Sequence, residues 1–270
     1  MLLPMALEGT EKGKKQAAQA LARIGITINP EVAFPGQRCL EVIRPLLSLL
    51  HPECTALENF EALLALCNLA SVSESVRKRI LKENGLQKIE SYMFEEHTML
   101  RRAATQVMTN LIIEEDVIKK YEEKNDKTKF LFLLCFEEDI ETVEAAAGAL
   151  AMLTSVSKKC CKKIFDVTNW LEVFQALLSN PNPDIQHRGL VIVMNILKAD
   201  KFLAEKIIAT NIMEILMALT KLENEKIIKL ANEALKIAED YKLIQKPEEA
   251  AAGVSNIRLD EEDPDMPDLD

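Results

Sequence analysis

Three asparagines, Asn68, Asn110 and Asn195, recur at one point of a repeated sequence pattern. A carboxamide both donates and accepts, so a row of them along one edge of a molecule can hold the backbone of an extended peptide. The alternative is that each caps a kink or bonds a neighbouring helix end within its own repeat, and the sequence leaves both open. The equivalent position between the second and third is Met152, a missing rung. His187 and Arg188 follow the Asn180-Pro181-Asn182-Pro183-Asp184 turn and complete the candidate binding groove. There Arg188 offers a fork of donors to a partner carboxylate, or braces Asp184 or a glutamate of the adjacent repeat.

Other reactive side chains point to no chemistry. The histidines His51, His97 and His187 lie far apart in sequence without ligand neighbours, so no metal site is expected. Cys160 and Cys161 stand among Lys158, Lys159, Lys162 and Lys163, and the simplest expectation is one buried and one exposed thiol. The six cysteines show no CxxC spacing, which fits a reduced intracellular setting. A phosphate-cradling glycine loop, GxSxG and HExxH are all absent, so neither catalytic residues nor a cofactor is expected.

The elements that must position these residues are helices. The segments 60–71, 102–113, 144–155 and 187–198 align with Asn68, Asn110, Met152 and Asn195 at steps of 42, 42 and 43 residues, and fainter copies occur at 16–25 and 230–239. A period of about 40–47 residues is that of HEAT and armadillo repeats, so the expected fold is an all-α armadillo-like superhelix. Each repeat reads as a small-residue helix, a turn, a shorter charged helix such as 73–84, and an apolar helix such as 170–180. The charged runs 74–84 and 157–165 are expected on solvated outer helices with pairs such as Glu74–Lys78, and Trp170 and Tyr92 in the core. The run 130–136 could be a strand, but its place in the period makes it a helix. Turns are expected at Asn84-Gly85, at 122–127 and at 180–184. Residues 26–38, with two prolines and a glycine, break the rhythm as a loop that covers a hydrophobic end or binds something.

The domain expected from this pattern spans 10–247, after a flexible start at 1–9 and before an acidic tail at 248–270 expected to be disordered. The tail holds nine carboxylates against Arg258 alone, a local charge of -8 within a total of -10. That balance disfavours nucleic acid as partner, since phosphate binding needs clustered positive charge. No run of 18 apolar residues occurs, so a membrane span is not expected and a cytoplasmic protein is.

The stretches ARIGITINPEVAFPGQRCLEVIRPLLSLLHPE (22–53), NFEALLALCNLAS (59–71), AAAGALAMLTS (145–155) and QHRGLVIVMNIL (186–197) closely resemble the C-terminal UCS domain of the animal myosin co-chaperones. The likeness runs from about residue 10 to residue 247. It implies a module that binds the myosin motor domain as client and assists its folding and assembly with Hsp90, without nucleotide chemistry of its own. In that family Hsp90 docks on an N-terminal TPR module, and this stretch shows no TPR signature. The resemblance also places client recognition in the groove, around 186–195. Without it, the repeats alone would equally suit an armadillo scaffold reading a linear peptide motif.

Overall fold

The computed structural model describes residues 2–241. Among these, every regular element is helical. The chain opens with α1 (Leu2–Glu8) and α2 (Glu11–Thr27), followed by α3 (Pro30–Ala33), α4 (Arg38–Glu41) and α5 (Ile43–Ser48). Three repeats of one long and two short helices come next. They are α6 (Ala56–Ala70) with α7 (Glu74–Lys82) and α8 (Gly85–Tyr92), α9 (Thr98–Leu111) with α10 (Glu115–Glu122) and α11 (Lys127–Leu133), and α12 (Ile140–Val156) with α13 (Lys158–Ile164) and α14 (Trp170–Leu178). A fourth repeat comprises α15 (Pro183–Ala199), α16 (Lys201–Ile208) and α17 (Ile212–Leu219), and α18 (Glu225–Asp240) closes the described chain.

The long helices stack in series: α2 on α6, then α9, α12, α15 and α18. The shorter helices form a second layer against them, and the apolar side chains between the layers make one continuous core. Small residues make this stacking possible. In α12 the buried Ala145, Ala146, Ala147, Ala149 and Ala151 let the helix lie against both α9 and α15. Helix starts follow local chemistry. Thr55 and Glu58 form a reciprocal capping box on α6, Asp139 caps α12, and Asn182 caps α15 with Pro183 in its first turn.

The turn at Asn84-Gly85 carries the backbone constraint its sequence suggests. Asn84 is left-handed at φ 56°, and a Cβ on Gly85 would come within 2.6 Å of Ile80 Cγ2 and 2.7 Å of the Ile80 carbonyl oxygen. The run 130–136 is helical, with α11 passing into a 3-10 turn at Leu134–Phe136. Tyr92 is buried, while Trp170 is half-buried and stacks edge-on against Phe165. Lys78 pairs with Glu74 on the outer helix α7.

Two expectations change, and one alternative is decided. Residues 1–9, expected to be flexible, contain α1, which packs on α2 because Ala6 is buried and Leu2 and Leu3 are partly so. Cys160 and Cys161 are both fully buried, since α13 turns both thiols inward, while Lys158 and Lys159 pair with carboxylates and Lys163 donates to the Tyr121 and Asn125 carbonyls. The irregular segment 26–38 holds the short α3 and tucks Phe34 into the core over Gly25 and Ala65, which is a covering role. The expected tail at 248–270 and the last six residues of the expected domain lie outside the described residues.

Candidate functional site

The long-helix layer carries all five candidate residues. Asn68, Asn110 and Asn195 occupy the C-terminal halves of α6, α9 and α15, each half-buried. Their carboxamides bridge neighbouring repeats. Asn68 Nδ2 donates to the Gly25 carbonyl of α2 at 3.0 Å, and Asn110 Nδ2 to the Cys67 carbonyl of α6 at 3.1 Å. Asn195 Nδ2 donates to the Ala151 carbonyl of α12 at 3.0 Å and to Thr154 Oγ1 at 3.1 Å. The donor side of each carboxamide is thus spent on the preceding long helix, an arrangement neither sequence alternative anticipated. None of the three Oδ1 atoms accepts a hydrogen bond among the described residues, so the acceptor side remains available.

At the Met152 position the bridge runs the other way. Thr109 Oγ1 of α9 donates forward to the Ala145 carbonyl of α12 at 3.0 Å. Every junction from α2 to α15 therefore has a side-chain hydrogen bond across it.

Arg188 also braces one repeat against the next. Its Nη1 donates to the Glu144 carbonyl, its Nη2 lies 2.9 Å from Glu144 Oε1, and the guanidinium lies over Gly148. Arg23–Glu61 at 2.8 Å and Lys198–Glu233 at 2.6 Å span other junctions of the same layer. His187 points elsewhere: it lines a shallow cleft of about 420 Å³ with Pro183, Asp184, Asn224, Glu225 and Lys226, between the starts of α15 and α18. The structure therefore sets His187 and Arg188 toward opposite neighbours, with Asn195 two turns further along α15.

The apolar part of this face was not singled out from sequence. Leu57 and Met99 are exposed near the starts of α6 and α9, Ile140 at the start of α12, and Ile113 and Val156 at the far ends of α9 and α12. The signal was available, because Leu57 and Met99 are 42 residues apart and Ile113 and Val156 are 43. A face that combines carbonyl-type acceptors with exposed aliphatic side chains can hold an unfolded segment by its backbone and its apolar side chains.

Two of the thiols in these layers are poor nucleophiles. Burial pushes the Cys67 thiol up to about 11 and, as the leading cause, the Cys161 thiol up to about 12, so neither forms a thiolate near neutrality. Among the described residues no three His, Cys, Asp or Glu side chains are grouped to hold a metal ion, and no helix is long and apolar enough to cross a membrane.

No protein-family model matches the chain. Protein unc-45 homolog B of Danio rerio is 52% identical over 225 residues, which cover 83% of this chain and 24% of that protein. The structure of UNC-45 from Drosophila melanogaster superposes with a TM-score of 0.87 at 57% identity, covering 90% of this chain and 31% of the other. The myosin chaperone UNC-45 from C. elegans, solved with an Hsp90 peptide, superposes with a TM-score of 0.80 at 32% identity, covering 88% and 26%. A designed armadillo repeat protein at 17% identity and a TM-score of 0.73 shares the fold. The chain thus spans about a quarter of the length of the curated relatives it matches.

Proposed function

Since this chain is homologous to the UNC-45 proteins and corresponds to their C-terminal UCS domain, we propose that it binds the myosin motor domain as a client and assists its folding in concert with Hsp90. The observation that carries the reading is the 57% identity to the Drosophila structure over 90% of the chain, because a likeness of that extent spans most of the stacked repeats. We place client contact on that layer. Asn68, Asn110 and Asn195 would accept from client backbone N–H groups through Oδ1, His187 and Arg188 would border the site, and Ile113 and Val156 would supply apolar contact. The act is binding rather than catalysis, in the cytoplasm, and any nucleotide turnover belongs to the chaperone partner.

The test is heat-induced aggregation of a purified myosin motor domain with this chain added at up to equimolar amounts and no ATP. Slower aggregation supports the reading, and replacing exposed Ile113 and Val156 by serine should weaken protection without lowering the melting temperature. No affinity for any myosin motor would leave an armadillo scaffold that reads a linear peptide motif.

A further inference from the structure

A second surface lies on the short-helix layer, away from the asparagines. Phe94, just after α8, and Phe130 on α11 meet edge-to-face with ring centroids 5.5 Å apart, yet they remain 53% and 47% exposed. They line a cleft of about 310 Å³ with Met93, Tyr121, Glu90 and Lys127. Soluble surfaces rarely leave two stacked phenylalanines open without a use.

The sequence pattern around them repeats. Phe94-Glu95-Glu96 and Phe136-Glu137-Glu138 are 42 residues apart, at equivalent ends of successive repeats, and Phe136 is 50% exposed. Carboxylates here outnumber their internal partners. Lys88 donates to the Leu47 carbonyl at 2.8 Å, Lys129 pairs with Asp126 at 2.9 Å, and Arg102 holds Asp139 and Glu141. Arg101 donates to the Glu95 carbonyl at 2.8 Å and reaches Glu137 at 3.4 Å. Every basic side chain of α8, α9 and α11 is therefore engaged, while Glu95, Glu96 and Glu138 have no ion-pair partner among the described residues.

Within the cleft Lys127 pairs with Glu90 Oε2, and the buried Tyr121 hydroxyl lies in hydrogen-bonding reach of the same carboxylate, so Glu90 is held by its neighbours and the open carboxylates are those of the rim.

We propose that this cleft docks an arginine or lysine from a basic, apolar segment of a partner protein. The cationic head lies against the exposed Phe94 and Phe130 rings. Flanking basic residues of the segment meet Glu95 and Glu96, and its apolar residues extend toward Phe136. Two features select this partner: exposed aromatic faces that attract a cation, and a rim of unpaired carboxylates. The cleft lies on the short-helix layer, away from Asn68, Asn110 and Asn195.

The test uses this chain and a fluorescein-labelled peptide alternating arginine with leucine, followed by anisotropy. Phe94→Ala with Phe130→Ala should weaken binding by about tenfold or more, and Glu95→Gln with Glu96→Gln should weaken it with the melting curve checked in parallel. Replacing the peptide's arginines by norleucine should abolish binding, while Ile113→Ser with Val156→Ser should leave it unchanged. Equal affinity of the parent and the double phenylalanine variant would overturn the proposal and assign any binding to general attraction by the acidic chain. So would equal affinity for the norleucine peptide.

Discussion

Whether Asn110 braces the repeats or faces a client can be decided by one isosteric change, Asn110→Asp. Asn110→Ala is a poor probe. It removes one hydrogen bond worth about 1 kcal/mol but gains about 0.6 kcal/mol of helix propensity, and the Cys67 carbonyl still accepts from Ser71 N at 3.3 Å. Aspartate keeps the shape and inverts the polarity. At neutral pH it sets a carboxylate oxygen where Nδ2 now lies 3.1 Å from the Cys67 carbonyl, in a half-buried site between α6 and α9. The lost bond costs about 1 kcal/mol and the facing of a partly desolvated charge to a carbonyl about 1–2 more. A total of about 2–3 kcal/mol predicts a fall in melting temperature of about 5–10 °C for a chain of this length.

The pH dependence sharpens the test. The new carboxyl is disfavoured as an anion in the folded state, so its folded pKa is raised, and the penalty applies above that pKa. It disappears as pH falls through it, because the protonated carboxyl can again donate to Cys67. Thermal melts followed by circular dichroism at 222 nm, at pH 7 and near pH 4.5, should therefore converge with those of the parent under acid. A variant that melts with the parent at pH 7 and gains nothing relative to it on acidification would refute the bracing argument, and any loss of client binding would then report direct contact.

Three further outcomes follow from other parts of the fold. Gly85→Ala should destabilise the chain by about 2 kcal/mol in urea unfolding, because its Cβ would meet the Ile80 backbone carbonyl at 2.7 Å. Asp139, held down at about 2 chiefly by Arg102 and also by bonds from Thr142, supports folding fully above its unfolded value of 3.8. That support should be lost as pH falls toward 2, and Asp139→Asn should flatten this acid limb of the stability profile while removing on the order of 2 kcal/mol at pH 7. Cys160 and Cys161 should resist iodoacetamide in the native chain and label only on unfolding, read by mass spectrometry, whereas the more accessible Cys54 should label first.

The sequence by itself determined the architecture. A 42-residue recurrence of small residues beside leucine, valine and methionine can bury its apolar faces only by stacking, so period and composition imply an α-solenoid before any coordinate is known. Local chemistry also marked the turns, since an asparagine that tolerates the left-handed region, a glycine without a Cβ and a proline in a first helical turn act over a few residues. Which atom a side chain meets was decided in three dimensions. The asparagine spacing showed that a row exists, but the Nδ2 atoms turn toward carbonyls 43 or 44 residues earlier, and only the stacked repeats bring those carbonyls within reach. Arg188 likewise finds Glu144 across a junction, a partner that proximity in sequence does not suggest. Cys160 and Cys161 are neighbours that one-face reasoning would separate, yet α13 is packed on both flanks and buries them together. The Phe94 cleft was equally hidden, since its walls come from α8, α10 and α11 and meet only once those helices have packed. Periodicity is a one-dimensional quantity and survives in the sequence, whereas hydrogen-bond satisfaction depends on distances between repeats and exists only once they have stacked.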